Sequence, residues 1–436
     1  MQSMAWLVRV LPKPENPIEP GKSSLLLMRP TLMRSTLLAL FVVAITLHSA
    51  AQTRATRDAR RVAALTYEKQ GNLLEAEREW KELLRSYPGD PEPYAHLGLI
   101  ASRQQRYKEA VPLYRKALEI YPNVPGLRLD LALALFKSGE LKESIPEFKG
   151  LLNAAPPDSA QALRLNILIG MAYYGIANYA DAAPYLKKAA DRDKTNLPLR
   201  LALAHSYMWS KQFKEVLPVY HEILTIDPDS AEADMLAGEA LDEMKDNAGA
   251  TKMFRAAVKA NPKLPDVHFG LAYLLWAQKN YPEAATEFQA ELDNDPDHVQ
   301  SMVYLADTFI QMNKMEAARP LLERALKLDH SQALAHLDLG IVLTEAGENA
   351  NALRELQEAE KLMPDDVNVH WRLGRLYRTL GRKEEARIEF DKASKLNKKA
   401  DEDLYQKIAR GAARRAPQQG GAQAVPQPEP ATSPNQ

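Results

Sequence analysis

Residues 91–124 read PEPYAHLGLIASRQQRYKEAVPLYRKALEIYPNV, and this stretch of 34 residues decides the fold. Its apolar side chains recur at helical spacing in two stripes, which predicts two amphipathic helices. The stripes comprise Tyr94, Leu97, Gly98 and Ala101, followed by Ala110, Tyr114 and Ala117. Pro122 cannot continue the second helix, so the chain turns there. The stretch therefore predicts one helix–turn–helix unit.

The same pattern extends along the chain with a period of 34 residues. Ten units begin at Arg57, Pro91, Pro125, Leu163, Leu197, Ala231, Pro265, Val299, Ala333 and Val367. A Gly or Ala occupies position 8 of every unit, which lets two helix backbones approach closely, and position 24 is often aromatic. The one break in phase is a four-residue insertion, 159–162, where Asp158 is the expected N-cap of a helix lengthened by one turn.

This pattern resembles the tetratricopeptide repeat, and the resemblance covers residues 57–400. It implies an all-α fold, a right-handed α-solenoid of about ten helix–turn–helix repeats with a concave groove. Residues 401–415 are expected to form a polar C-terminal capping helix. Residues 416–436, rich in Pro and Gln, are expected to be a disordered tail. One elongated solenoid thus replaces the roughly three domains that length alone predicts.

Composition excludes several classes of protein. The absence of Cys excludes disulfides, thiolate metal sites and a cysteine nucleophile. The 56 Lys and Arg nearly balance the 57 Asp and Glu, which argues against a general nucleic-acid binder. No phosphate-binding glycine loop, zinc-protease motif or serine nucleophile elbow is present in the sequence, so neither an enzyme nor a cofactor is predicted.

The amino terminus is typical of a targeting segment. The apolar run 36–47 follows Arg29 and Arg34 and precedes Ser49-Ala50-Ala51, which predicts a signal peptide over 28–51 cut before Gln52. Residues 1–27 do not fit a signal and are interpreted as a start assigned too early. The protein is therefore expected in the periplasm or outside the cell. An uncleaved signal that anchors it to the membrane is the alternative.

In the tetratricopeptide family, positions 2, 5, 9, 12 and 13 of the first helix face the concave groove. In repeats three to seven these positions are largely apolar or aromatic, whereas a merely solvated groove would be polar. Exposed apolar surface of this kind favours a binding site, with self-packing of the groove as the alternative. The candidate groove residues are Leu133, Phe136, Met171, Tyr174, His205, Met208, Trp209, Phe269, Tyr273 and Trp276.

Charged side chains continue the same stripe. They are Glu239, Asp242, Asp307, Arg375 and Arg378. An acid–base role for Glu239 and Asp242 is a minor alternative to a solvated helix face. The family's carboxylate clamp, which needs Lys and Asn at positions 5 and 9, is not matched in the first three repeats, where position 9 is always Leu.

Three histidines share position 4, which invites a metal hypothesis. They are His268, His336 and His370. No carboxylate or further His stands at matching positions, so packing is the favoured interpretation and no metal site is predicted.

The sequence favours a non-catalytic scaffold that holds a partner polypeptide across the apolar groove of repeats three to seven. The alternative is an accessory subunit of envelope or exopolysaccharide assembly that binds a glycan or a lipid.

Overall fold

The computed structural model of the protein describes residues 54–123 and 125–415, and these form twenty helices and no strand. The helices fall into two compact units, one ending at Asp246 and the other beginning at Asn247. No helix in the described ranges is both long and apolar enough to cross a membrane. The predicted segments 1–27, 28–51 and 416–436 lie outside the described residues.

The described residues of the first unit form eleven helices. Each odd-numbered helix is helix A of a repeat, and each even-numbered helix is helix B. They are α1 (54–69), α2 (Leu73–Ser86), α3 (Pro91–Arg103), α4 (Tyr107–Ile120), α5 (Pro125–Ser138), α6 (Leu141–Ala154), α7 (Ala160–Gly175), α8 (Tyr179–Arg192), α9 (Leu197–Trp209), α10 (Phe213–Leu224) and α11 (Ala231–Glu243).

The second unit holds nine helices in the same alternation. They are α12 (Asn247–Ala260), α13 (Val267–Ala277), α14 (Tyr281–Asn294), α15 (Val299–Gln311), α16 (Met315–Leu328), α17 (Ala333–Glu345), α18 (Asn349–Leu362), α19 (Val367–Thr379) and α20 (Lys383–Arg415). The predicted capping segment 401–415 is helical and continues α20, which is helix B of the tenth repeat, without a break.

Seven helices A begin at the first residue of the repeat that the periodicity predicts. The insertion before the fourth repeat lengthens α7 as expected, but the predicted cap is wrong. The Ser159 side chain accepts the Ala162 N–H at 3.0 Å and caps the helix. Asp158 cannot do so because its φ is +62°, whereas a capping residue adopts an extended backbone.

The small residue at position 8 contacts position 24 of its own repeat, sixteen residues later. A Cβ added to Gly98 would lie 2.6 Å from the Tyr114 ring, and one added to Gly170 would lie 2.6 Å from the Leu186 side chain. The ring of Tyr114 is 1% exposed as a result. Helices A and B of one repeat therefore pack at a distance that leaves no room for a larger side chain.

Position 15, in the turn between helices A and B, has a positive φ in all ten repeats. The residues are Gly71, Gln105, Gly139, Ala177, Lys211, Lys245, Lys279, Asn313, Gly347 and Gly381. The N–H that follows bonds back to helix A, as in the 2.8 Å bond from Gln212 to the Tyr207 carbonyl. Each helix A is therefore followed by a residue in the left-handed conformation, although only four of these ten residues are glycine.

Candidate functional site

Helices A of neighbouring repeats contact one another within each unit. In the first unit α7 contacts α9 and α9 contacts α11, and in the second α13, α15, α17 and α19 follow in the same way. We use the term helix-A face for the side chains at positions 2, 5, 6, 9, 12 and 13 of helices A. These positions hold the predicted groove residues, and each unit is described separately.

In the first unit, four predicted groove residues are half-buried against the core. Leu133 and Phe136 pack on the cluster around Phe148, with the two Phe rings 6.2 Å apart. Met171 and Met208 pack on the next cluster, which contains the core of repeats four to six. Part of the helix-A face is thus filled by its own side chains.

The remaining residues of the first unit form an aromatic patch, named here the Trp209 patch. It comprises Tyr174, Tyr179, His205 and Trp209. The Trp209 ring lies 6.3 Å from Tyr174, 4.6 Å from Tyr179 and 5.1 Å from His205. Trp209 is nevertheless 49% exposed. Tyr179 was not predicted, since it is the first residue of helix B and lies off the periodic stripe.

His205 links the Trp209 patch to the next helix A. Its Nε2 lies 2.9 Å from the Glu232 carboxylate, whereas its buried Nδ1 has no hydrogen-bond partner. Burial raises the pKa of the neighbouring Tyr174 hydroxyl, with smaller contributions from Tyr179 and Glu232. The patch is therefore an apolar surface with one unsatisfied nitrogen at its edge.

The predicted charged residues divide between the units. Glu239 and Asp242 are half-buried on α11 of the first unit. Asp307 on α15 and both Arg375 and Arg378 on α19 belong to the second. The charged residues predicted from sequence therefore form two groups, one acidic group in the first unit and one mixed group in the second.

In the second unit, Phe269, Tyr273 and Trp276 all contact Tyr304 of the next helix A. The Tyr304 ring lies 6.0 Å from Phe269, 5.4 Å from Tyr273 and 5.1 Å from Trp276. Tyr273 is 37% exposed, whereas Trp276 and Tyr304 are half-buried. The sequence did not predict Tyr304 as a groove residue, because it occupies position 6, which is not among the groove positions 2, 5, 9, 12 and 13 of the family.

Two buried carboxyl groups adjoin these rings. The indole N–H of Trp276 donates to Asp307 Oδ2 at 2.5 Å, and the Gln311 amide donates to Oδ1 at 3.2 Å. Asp338, at position 6 of the next repeat, is 2% exposed, and its Oδ2 has no hydrogen-bond partner. Burial and then the charge of Asp307 raise the pKa of Asp338 well above its ordinary value.

Arginines and an exposed indole complete the helix-A face of the second unit. Arg375 lies 4.8 Å and Arg372 lies 5.4 Å from the Trp371 ring centre, and Trp371 is 42% exposed. Arg378 lies 5.8 Å from the Phe390 ring. Burial, followed by the charge of Arg375, lowers the pKa of Arg372, whose buried Nε has no partner. Trp371 occupies position 5, which is one of the groove positions of the family, so it could have been predicted from sequence.

The three histidines at position 4 are buried, and each pairs with a glutamate at position 23 of its repeat. The Nδ1 atoms lie 2.6, 2.7 and 2.6 Å from the carboxylates in the pairs His268–Glu287, His336–Glu355 and His370–Glu389. Sequence reasoning missed these carboxylates because it compared helices A only. The recurrence of Glu nineteen residues after the histidine was the available signal.

The third pair adjoins a set of ligand-type atoms that also includes Glu360. In this set, the Lys392 ammonium group lies 2.7 Å from Glu360 and 2.8 Å from Glu389, and His370 Nε2 lies 2.8 Å from the Pro364 carbonyl. The positive charge that two carboxylates require is thus already supplied by Lys392. We assign this cluster a role in packing.

Two family models, both described as tetratricopeptide repeat, match the chain. One matches residues 101–167, 177–240 and 275–338. The other matches residues 61–125, 235–299 and 337–401.

The chain is similar to two curated proteins among others. Anaphase-promoting complex subunit 3 of Schizosaccharomyces pombe is 23% identical over 206 residues, which are 47% of this chain and 31% of that protein. The TPR repeat-containing protein YpiA of Bacillus subtilis is 23% identical over 251 residues, which are 56% of this chain and 58% of that protein. The chain thus spans less than two thirds of the length of either relative.

Solved structures show the same kind of likeness. The Pseudomonas aeruginosa pilF structure matches with 19% identity and a TM-score of 0.41, over 46% of this chain and 90% of that one. The APC/C hetero-tetramer Cut9-Hcn1 matches with 13% identity and a TM-score of 0.39, over 78% of this chain and 87% of that one.

Proposed function

The chain belongs to the tetratricopeptide-repeat family, and from this premise we propose that it is a non-catalytic scaffold that binds a partner polypeptide through its helix-A face. Repeats of this family bury their apolar stripes against neighbouring repeats and leave one surface of helices A for a ligand. The coarse role of a protein-interaction scaffold follows from the family. The residues and the kind of partner are our inference from the geometry.

The observation that carries the proposal is the exposure of Trp209. Its ring stacks on Tyr174 and contacts the tilted ring of Tyr179, yet about half of its surface is exposed to solvent. A large, pre-ordered aromatic side chain loses little conformational entropy on binding, and tryptophan is enriched among residues that dominate binding energy. The Trp209 patch therefore has the properties of an anchor site.

The chemistry of the patch favours apolar anchors on the partner. Met171 and Met208 beside the rings are flexible and polarizable, so they adapt to side chains of different shape. An extended or helical segment with two or three apolar residues fits such a surface.

A crosslinking pulldown from the producing cells tests the proposal with Trp209→Ala. Loss of a central aromatic anchor commonly costs about 2 kcal/mol or more, so we expect at least one partner to fall by roughly tenfold or more in yield. Leu74→Ala is the matched control because Leu74 is 75% exposed on α2, a helix B. An identical set of partners in wild type, Trp209→Ala and Leu74→Ala would remove the Trp209 patch from the function.

The exposed face of Trp209 is also the observation that favours the second candidate, binding of an envelope glycan or a lipid. Aromatic faces stack on apolar faces of other molecules irrespective of the polymer that carries them. Titration of tryptophan fluorescence with purified envelope glycans and lipid vesicles separates the two candidates. Saturable quenching that is lost in Trp209→Ala supports the second candidate, and its absence supports the first.

We further propose that the protein acts after export, in the bacterial cell envelope. Support comes from the sequence of residues 28–51 alone. Mass spectrometry of the amino terminus of the protein recovered from cells is the test, with Gln52 as the expected first residue. A chain that retains residues 28–51 and sediments with membranes would favour the anchored alternative.

A further inference from the structure

The second unit contains a buried carboxyl group that the protein itself does not satisfy. Asp338 is 2% exposed, and no group donates a hydrogen bond to its Oδ2. A buried carboxylate without a hydrogen-bond partner or a counter-ion is costly, and such groups are rare in folded proteins. Packing alone would be served as well by an apolar residue at this position.

A second carboxyl group increases the negative charge at the same place. Asp307 receives hydrogen bonds from the neutral Trp276 indole and the neutral Gln311 amide, and neither donor cancels its charge. Burial is the main cause that raises the pKa of the Tyr304 hydroxyl, and Tyr273, Asp307 and Asp338 add smaller contributions, so the two carboxyl groups lie within electrostatic reach of that ring. The region is therefore acidic and partly dry.

Aromatic faces adjoin the two carboxyl groups. The Tyr273 and Trp276 rings are stacked with centres 5.8 Å apart, and the edge of Tyr304 closes the group. Tyr273 is exposed, so one ring face is accessible from solvent. A cation gains energy over such faces, and most of all where water is partly excluded.

Arg372, at position 6 of the next repeat, is the protein's own candidate for a counter-ion. Its Nε has no hydrogen-bond partner, and the Asp338 Oδ2 has none either, so these two atoms do not pair. Burial, followed by the charge of Arg375, lowers the pKa of Arg372, and the smaller opposing effects of Glu345 and Asp338 do not offset this. Arg372 therefore lies within electrostatic reach of Asp338 and lowers its pKa somewhat, but its Nε makes no hydrogen bond to the Asp338 carboxyl group.

We propose that the helix-A face of repeats seven to nine binds a cationic side chain, a lysine or arginine of a peptide ligand, over the Tyr273 and Trp276 rings and against Asp307 and Asp338. The ligand's charge supplies what the two carboxyl groups lack, and its aliphatic stem lies on the rings. This site is separate from the Trp209 patch, and the inference stands if the function proposed for that patch fails.

The test follows the Trp276 indole N–H, which bonds to Asp307, in nitrogen-15 NMR spectra of the full chain, with Trp276→Phe to assign the signal. The probes are a capped nine-residue Gly/Ser peptide with one central lysine, its arginine form, and its acetyl-lysine form of equal length. We expect saturable shifts with the lysine or the arginine peptide and none with the acetylated peptide. Equal shifts with all three, or no shift with any, would overturn the proposal.

Two variants locate the binding energy. Asp338→Asn keeps the shape of the side chain and removes its charge, and we expect about a tenfold weaker affinity for the cationic peptide. Asp130→Asn is the matched control, because Asp130 occupies position 6 of repeat three in the first unit. Unchanged affinity in Asp338→Asn, or an equal loss in Asp130→Asn, would contradict the assignment.

Arg372→Leu tests the internal alternative. If Arg372 neutralised Asp338, its removal would leave the buried carboxylate without its counter-ion and destabilise the second unit. Under our proposal the substitution removes a repelling cation, so affinity for the lysine peptide stays equal or rises. A lower melting temperature, which would show that Arg372 neutralises Asp338, or a fall in affinity for the lysine peptide would overturn the proposal.

Discussion

The helix-A faces of the two units are built on the same repeat but hold different chemistry. In repeats four to six, position 6 is occupied by Leu168, Ala202 and Leu236, and the neighbouring groove residues pack on the core. In repeats eight to ten, position 6 is occupied by Tyr304, Asp338 and Arg372. The backbone of a repeat therefore fixes where a side chain stands, and the residues at positions 6, 9 and 12 of these repeats decide whether the face is apolar or charged.

The two faces also differ in the burial of the side chains that carry polar atoms without a hydrogen-bond partner. In the first unit the unsatisfied Nδ1 of His205 belongs to a half-exposed patch. In the second unit Asp338 carries an unsatisfied oxygen in a fully buried side chain. Polar groups that are buried at a cost to stability are commonly retained for function. This difference is the reason to assign the charged ligand to the second unit and apolar anchors to the first.

The largest expected contrast concerns the histidine–glutamate pairs. Glu389 is 6% exposed and contacts the buried His370 Nδ1, so Glu389→Ala leaves this nitrogen without its close partner and should lower the opening free energy of α19 by about 3 kcal/mol. In the first unit the partner of His205 is Glu232, which is 43% exposed, and Glu232→Ala should cost less than about 1 kcal/mol at α9. Hydrogen exchange of amides in the two helices measures both, and equal losses would contradict the contrast.

Substitutions at the closely packed position 8 should lower stability by the same amount in both units. Added Cβ atoms would lie 2.6 Å from Leu186 at Gly170 and 2.6 Å from Leu356 at Gly340. Each Gly→Ala change should therefore lower stability by about 2 kcal/mol, through overpacking. The control is Gly150→Ala in α6, where nothing lies within 4 Å, and which should raise stability by about 0.5–1 kcal/mol. Urea unfolding measures all three, and a neutral Gly340→Ala would show that the second unit is packed less tightly.

Asp338→Asn should make the second unit more stable at pH 7. The folded protein holds the Asp338 proton more tightly than the unfolded chain does, so wild-type stability falls as pH rises above the ordinary aspartate pKa of about 3.9. The gain in Asp338→Asn should be about 1.4 kcal/mol for each pKa unit of the shift, and it should vanish near pH 4. Melting curves of both proteins from pH 4 to pH 8 are the measurement, and a gain that stays constant across this range would show that the charge is not its cause.

The smallest expected effect on stability concerns the turn at position 15, which occurs in the repeats of both units. Ala177 has a φ of +58°, which costs a residue with a Cβ roughly 1–2 kcal/mol relative to glycine, so Ala177→Gly should raise stability by about 1 kcal/mol. Gly347 has a φ of +76°, and Gly347→Ala should lower stability by a similar amount. Thermal unfolding of the two variants checks the signs. A loss of stability in Ala177→Gly would show that the greater conformational freedom of glycine in the unfolded chain outweighs the relieved backbone strain.

Most of the fold could be predicted from sequence because contacts inside a repeat are local. Positions 8 and 24 are always sixteen residues apart, so the contact between Gly98 and Tyr114 could be predicted from sequence. The cap at Asp158 was misassigned for a local reason as well. Two adjacent residues both suit a cap, and only the backbone shows that Ser159 has the required extended conformation.

The candidate site was predicted less completely. Trp276 and Asp307 were assigned from sequence to an apolar and a charged group, yet they are joined by a hydrogen bond. Tyr304 and Asp338 lie beside the stripe inferred for the family, so the periodic pattern contained no reason to select them.

The sequence by itself determined the number of repeats, the start of most helices A and the positions that must be small. These properties depend on helix geometry and on spacing within 34 residues. Only the tertiary structure decided which side chains meet between repeats, that Trp209 is exposed while Met208 packs on the core, and that the buried Asp338 Oδ2 has no hydrogen-bond partner. The reason is physical: contacts between repeats depend on the angle at which one helix A crosses the next, and a period in sequence does not encode that angle.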